Sequence, residues 1–202
     1  MKEIVFGTKN EAKIKQIRGA LSPVGIDVNG IPNDESLPEV EEDGKTAVEN
    51  ARKKALAYAK ALGRVVFSMD NALYLDGLKS EDQPGLNVRR INGSTERPTD
   101  EEMVKYYSEL IGSLGEQIDG YWEYGVCIAS PDGEHKETTI RSPRIFVGKP
   151  SPIIQPGYPL ESLQIEPVSG KYMSELSRED QDAFWQKAIG KPLSDFIQSV
   201  DL

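Results

Sequence analysis

EIVFGTKNEAKIKQIRGALSPVGIDVNGI, residues Glu3 to Ile31, decides the fold. Glu3–Gly7 is a short apolar run and reads as a buried strand. Ile14, Ile17 and Leu21 then recur at helical spacing through Asn10–Leu21, and Pro23 ends that helix. Gly25–Ile31 is a candidate second strand. Strand, helix and strand in this order point to an α/β protein.

The pattern continues outward from there. Residues 32–45 (PNDESLPEVEEDGK) are an acidic loop. Thr46–Leu62 is helical, with Val48, Ala51, Ala55, Tyr58 and Leu62 in phase and Gly63 as the stop. Thr46 and Glu49 have the spacing of a capping box. Val65 and Val66 lead into FSMDNALYLDGL, Phe67–Leu78, whose first half reads as a buried strand. Residues 76–99 are rich in Gly, Pro and polar side chains and read as a long loop. Asp100–Leu114 is an amphipathic helix with Val104, Tyr107, Leu110, Ile111 and Leu114 inward. Tyr121–Ala129 alternates, meets the turn PDGE, and pairs as a hairpin with Glu137–Ile145. Residues 148–171 are rich in Pro and Gly. Glu179–Val200 is helical, interrupted near Gly190 and Pro192. The early alternation and the central hairpin predict a mixed sheet with flanking helices, in one domain over residues 1–202.

Bulk composition narrows the function. The 202 residues are 38% hydrophobic and 28% charged, as in ordinary globular proteins. No apolar run reaches 18 residues, and the first residues lack the apolar length of a signal peptide, so a cytoplasmic protein without a membrane is expected. One cysteine, Cys127, excludes an internal disulfide. The one histidine, His135, lies in a polar turn, which disfavours zinc sites. A net charge of −9 disfavours nucleic acid and anionic membranes as partners. A small anionic substrate still fits if basic residues converge.

Three stretches can carry chemistry. Gly7-Thr8-Lys9-Asn10-Glu11-Ala12-Lys13 runs from a strand end into a helix start, where free N–H groups suit phosphate. It also reads as an ordinary cap with a surface lysine, and it lacks the P-loop spacing. Glu39–Asp43, followed by Glu49 and Lys54, offers oxygen ligands of the kind magnesium accepts. It equally reads as a solvated acidic loop. Asp70 stands close behind an apolar run. An unpaired charge there costs several kcal/mol, so it requires a cation, a metal or a solvent-filled cleft. It reads either as a strand-end acid with local hydrogen bonds or as a metal ligand or general base at the carboxyl end of a strand.

In order, Thr8-x-Asn10-x-x-Lys13, Glu42-x-Gly44-x-Thr46-x-x-Glu49-Asn50-Ala51-x-x-Lys54-Ala55, Asp70-Asn71-Ala72-Leu73, and Pro84-Gly85 with Arg90 resemble the Ham1-type inosine/xanthosine triphosphate pyrophosphatase family. Glu175-Leu176-Ser177-Arg178-Glu179 is similar to a late stretch of that family. The resemblance implies two lobes around a mixed sheet, with a nucleotide in the cleft between them. It implies magnesium-dependent hydrolysis of non-standard purine nucleoside triphosphates to monophosphate and pyrophosphate by a homodimer. Carried over by position, Thr8, Asn10 and Lys13 hold phosphate, Lys54 contacts phosphate, and Glu41 or Glu42 helps bind metal. Asp70 binds metal or activates water, Asn71 offers hydrogen bonds, and Arg90 lies near the nucleotide.

The departures are as informative. The family's Asp-Asp-Ser-Gly-Leu reads Met69-Asp70-Asn71-Ala72-Leu73 here, so one acid is lost. Its aromatic-Gly-Tyr/Trp-Asp-Pro motif reads Pro156-Gly157-Tyr158-Pro159, without the acid. A late lysine falls on Gln181, and the base-reading Ser-His-Arg falls on Trp185-Gln186-Lys187. Tyr158 and Trp185 can stack on a base, although Trp185 also reads as a core residue. Lys187 keeps the charge of the arginine without its planar fork. The leading expectation is a divergent magnesium-dependent nucleotide pyrophosphatase. The alternatives are a catalytically weakened nucleotide- or partner-binding protein on the same fold, and an enzyme for another phosphorylated metabolite.

Overall fold

The structure, a computed structural model, describes residues 2–32, 35–93 and 96–200. Residues 33 and 34 of the acidic loop and residues 94 and 95 of the long loop lie outside them, as do residue 1 and the last two.

The first strand, β1, is Lys2–Phe6, and the first helix, α1, is Glu11–Leu21 with Asn10 as its N-cap. Strand β2 is Ile26–Gly30, helix α2 is Ala47–Leu62, and strand β3 is Val66–Leu75. Helix α3 spans Asp100–Leu114 as its periodicity predicts. Strands β4, Gln117–Ala129, and β5, His135–Val147, form the expected hairpin but run longer than the alternation indicates. Its turn closes through Ser130 N–H to Glu134 O at 2.9 Å and Gly133 N–H to Ser130 O at 3.1 Å. In the Pro- and Gly-rich stretch, the chain makes a 3₁₀ turn, Pro159–Leu163, and a two-residue strand, β6, Gln164–Ile165. Helices α4, Arg178–Trp185, and α5, Lys191–Gln198, are joined through a π-helical turn, Gln186–Gly190. The expected interruption at Gly190 and Pro192 is therefore a change of helical pitch. No helix among the described residues is long and apolar enough to cross a membrane.

The sheet has six strands in the order β2-β1-β3-β4-β5-β6. It is mixed: β1 pairs in parallel with β2 and β3, and β5 pairs antiparallel with β6. The α/β class with flanking helices thus follows the sequence expectation. Two details differ. Asp70 lies in the middle of the ten-residue β3, not at a strand end. The α2 cap is only half the expected box. Thr46 Oγ1 accepts from Glu49 N–H at 3.3 Å, but the Glu49 carboxylate takes the N–H of Lys45, at 2.6 Å. The reciprocal capping box forms instead at α3, between Thr99 and Glu102.

The chain divides into two compact units. The first comprises residues 1–71, 123–140 and 182–202. In it the face of α2 formed by Ala51, Ala55 and Ala59 packs on Val66, Cys127 and Ala129. Alanine every fourth residue gives the helix a flat face, which allows close approach to the sheet. Gly125 on β4 shows how close, since a Cβ there would lie 2.1 Å from Val48 N. Burial pushes the Cys127 thiol up to about 12, so it stays a neutral core side chain. Phe6 and Phe67 stack across the β1–β3 pair at 4.5 Å between ring centres.

The second unit comprises residues 72–122 and 141–181. Its core joins Leu73 and Leu75 of β3, Met103, Tyr107 and Ile111 of α3, Phe146 of β5, and Leu160 and Leu163 of the 3₁₀ turn. Of the expected inward face of α3, Val104, Tyr107 and Ile111 are buried, while Leu110 and Leu114 are half-buried. Met103 joins the buried set. The buried Tyr107 hydroxyl donates to Val88 O at 3.0 Å.

Candidate active site

In the first unit, β1 ends beside β3, with Gly7 N–H donating to Phe67 O at 2.7 Å. The chain then turns into α1. Asn10 Oδ1 accepts from the N–H groups of Ala12 and Lys13, at 3.0 and 3.2 Å. Thr8 Oγ1 accepts from Asn10 N–H at 3.1 Å. These side chains occupy the donors that a helix start offers to an anion. Asn10 therefore acts as a cap, and the Thr8 and Lys13 side chains beside it are half-buried.

Among its described residues, the acidic loop is tied down at Glu35 and at Glu42, Asp43 and Gly44. Glu35 pairs with Arg64, and Glu35 O accepts from Lys9 Nζ at 2.8 Å. Asp43 pairs with Lys53, which holds its carboxyl below the usual carboxylate range. The Lys54 ammonium lies 3.3 Å from Glu42 Oε1 and 3.5 Å from Asp70 Oδ1. Asp70 Oδ2 accepts from Asn50 Nδ2 at 2.9 Å, and Asn50 Oδ1 accepts from Gly44 N–H at 2.8 Å. Asn50 and Lys54 are four residues apart on α2, so one helical face presents both.

The puzzle of Asp70 is resolved in this network. Its side chain is only 15% exposed, yet it has an ammonium on one oxygen and an amide on the other. The Lys54 ammonium is thus shared by two carboxylates, one mostly buried and one largely exposed. Glu42 contributes from the solvent side, at 53% side-chain exposure.

Among the described residues no group of three or more His, Cys, Asp or Glu could hold a metal ion. The pair Glu42 and Asp70 still fits magnesium. That ion takes one or two carboxylates and completes its shell with water and phosphate oxygens. Glu41 is exposed and stands outside this network among the described residues. The first acid of the family's pair is Met69 here, and it is buried in the core.

The remaining expected residues belong to both units. Asn71 is half-buried, next to Asp70 on β3. Arg90 and Lys187 are exposed, the latter on the π-helical turn. Trp185 is 8% exposed, edge-on to Phe184 at 5.3 Å, which favours its core reading over base stacking. Tyr158 is half-buried at the start of the 3₁₀ turn.

Three residues escaped the sequence reading. Asn50 was legible only as one letter of a motif. Arg89, the neighbour of Arg90, is the arginine that docks. In the second unit its Nη2 donates to Gly157 O at 3.0 Å, while Asp100 accepts from Gly157 N–H at 2.7 Å. Asp100 and Arg89 hold the two ends of Gly157, and so fix the backbone entering Tyr158. Glu161, three residues on, is a buried acid that no local pattern announces.

Comparison with known proteins identifies what the chain as a whole is similar to. Residues 4–142 match the sequence profile of the Ham1 family. A dITP/XTP pyrophosphatase of Nitratidesulfovibrio vulgaris is 31% identical over 187 residues, which cover 89% of this chain and 87% of that protein. A dITP/XTP pyrophosphatase of Bacillus subtilis is 28% identical over 200 residues, 98% of each chain. Among solved structures, the Staphylococcus aureus Ham1 protein superposes with a TM-score of 0.74 at 25% identity, covering 98% of this chain and 99% of that one. A HAM1 protein from Coxiella burnetii shares the fold with a TM-score of 0.73 at 20% identity, over 99% of this chain and 100% of that one.

Proposed function

The chain belongs to the Ham1 family, and on that premise we propose that it is a nucleoside triphosphate pyrophosphatase, releasing pyrophosphate and a nucleoside monophosphate with magnesium as cofactor. The observation that carries the reading is the Lys54 ammonium between Glu42 and Asp70, in a chain whose curated relatives are named dITP/XTP pyrophosphatases.

In this reading Glu42 and Asp70 would hold the magnesium, with Glu41, next to Glu42 in the loop, as a further carboxylate it could reach. When bound, the ion withdraws charge from the phosphoryl oxygens. Lys54 and Lys13 are point charges for the triphosphate, and they offset negative charge as it moves onto the leaving pyrophosphate. Thr8 offers a hydroxyl to phosphate, and Asn10 holds the turn that carries it. Asp70 accepts the proton of the water that attacks the α-phosphorus, or orients that water. Asn71, next to Asp70 on β3, offers hydrogen bonds to the nucleotide, while contacts of Arg90 and Tyr158 with it rest on the family resemblance alone. The active species is a homodimer in the cytoplasm, which light scattering and cell fractionation check.

The test is pyrophosphate release from a panel of nucleoside triphosphates, with and without magnesium. Magnesium-dependent release from at least one of them is expected, and no release from any overturns the reading. A second reading, nucleotide binding without turnover, is favoured by Met69 in place of an acid. It requires saturable nucleotide binding in the same preparation with no release.

A further inference from the structure

The loop that carries Glu42 and the strand that carries Asp70 meet at one side chain, Asn50, which is 2% exposed. We propose that Asn50 is the positioning residue of the candidate site, holding both carboxylates on Lys54. The inference rests on the pyrophosphatase reading and adds to it the residue that assembles the site.

The Asn50 carboxamide has a donor end and an acceptor end, and each has one partner. Nδ2 donates to Asp70 Oδ2 at 2.9 Å, and Oδ1 accepts from Gly44 N–H at 2.8 Å. The reverse orientation would set Nδ2 against an N–H and Oδ1 against a carboxylate, so the partners themselves define the amide's direction. With Oδ2 engaged, Asp70 turns Oδ1 to Lys54. With Gly44 engaged, the loop holds Glu42, two residues earlier, within 3.3 Å of the same ammonium. Lys54 follows Asn50 by one helical turn, so α2 fixes the separation of amide and ammonium.

The fit leaves no slack. A Cβ on residue 44 would lie 2.6 Å from Asn50 Oδ1 and 2.9 Å from Glu49 Cβ. Glycine at 44 and asparagine at 50 are therefore one geometric requirement. Leucine at 50 would fill the volume, but would leave a buried N–H and a carboxylate oxygen unpaired. Aspartate would set one carboxylate against another.

Two measurements test this. In the first, Asn50→Leu lowers kcat for pyrophosphate release at least about tenfold while the nucleotide KM stays within about threefold. A purely structural side chain would produce no such split. The second does not depend on turnover. Urea midpoints are compared for Asn50→Asp, Asp70→Asn and the double variant that exchanges them. Asn50→Asp lowers the midpoint, and the exchange recovers most of the loss by restoring an amide-to-carboxylate hydrogen bond. Additive midpoints overturn the proposal, and they decide it alone if Asn50→Leu does not fold. Full kcat in a folded Asn50→Leu also overturns it, while leaving the pyrophosphatase reading standing. A wild type that releases no pyrophosphate defeats that reading, and the positioning role falls with it even if the midpoints are coupled.

Discussion

Replacing Glu161 with glutamine should flatten the pH dependence of stability between about pH 4.5 and pH 7. Glu161 sits in the 3₁₀ turn Pro159–Leu163 of the second unit, 7% exposed. Its Oε2 is buried without a hydrogen-bond partner. Burial pushes its carboxyl up from 4.5 to about 7, against a smaller opposing pull from the Arg144 guanidinium. The folded state thus holds the proton more tightly than the unfolded chain. Below pH 4.5 both states are protonated and the acid costs nothing. As pH rises the unfolded chain releases its proton first, and stability falls until the folded carboxyl ionises near pH 7. Each pKa unit is worth about 1.4 kcal/mol, so the full loss is about 3 kcal/mol. Glutamine has nearly the same volume and no proton to lose. Urea titrations of wild type and Glu161→Gln at pH 4.5 and pH 8 measure the difference. With an m-value of about 3 kcal/mol/M, the variant's midpoint should gain about 1 M on the wild type between the two pH values. A gap that stays constant across this range refutes the argument, and means that Arg144 keeps Glu161 ionised throughout.

Asp70→Asn removes a charge and little volume, so it should abolish pyrophosphate release while circular dichroism stays unchanged; full turnover would remove Asp70 from the site. Lys54→Ala and Lys13→Ala should each lower kcat/KM at least about tenfold, roughly 1.4 kcal/mol, and unchanged kinetics in both would leave the α1 start as a plain cap. By the sequence resemblance, the family's base-reading positions fall on Pro159, Gln181, Trp185, Gln186 and Lys187. A site without dedicated partners for a base discriminates weakly. The kcat/KM ratio of inosine over adenosine or guanosine triphosphate should stay below about a hundredfold, some 2.7 kcal/mol. A higher ratio means that another side chain reads the base.

Helices α1, α2 and α3 were legible because their information is local. Apolar spacing lies within one segment in each, and Asn10 and Thr46 cap where the chain places them, while the Thr99 cap of α3 is a finding of the structure. Strand lengths were less legible. The ends of β4 and the centre of β3 are set by pairing with neighbours, and Asp70 interrupts the apolar run without ending the strand. Of the site, Lys54, Glu42 and Asp70 were named from their order in the chain, and the fold brings them together. Glu41 was not separable from Glu42 by sequence, because adjacent loop residues differ only in where the loop points them.

The sequence by itself determined the α/β class, the helix positions and the family. These follow from periodicity and motif spacing, which are properties of the chain in order. Only the tertiary structure decided what each side chain does. Asn50 joins a loop to a strand twenty residues away from it in sequence. Arg89, not Arg90, grips Gly157, and Trp185 is buried in the core. Such roles depend on distance and burial across segments far apart in the chain, and hydrogen bonds and desolvation act over those distances alone.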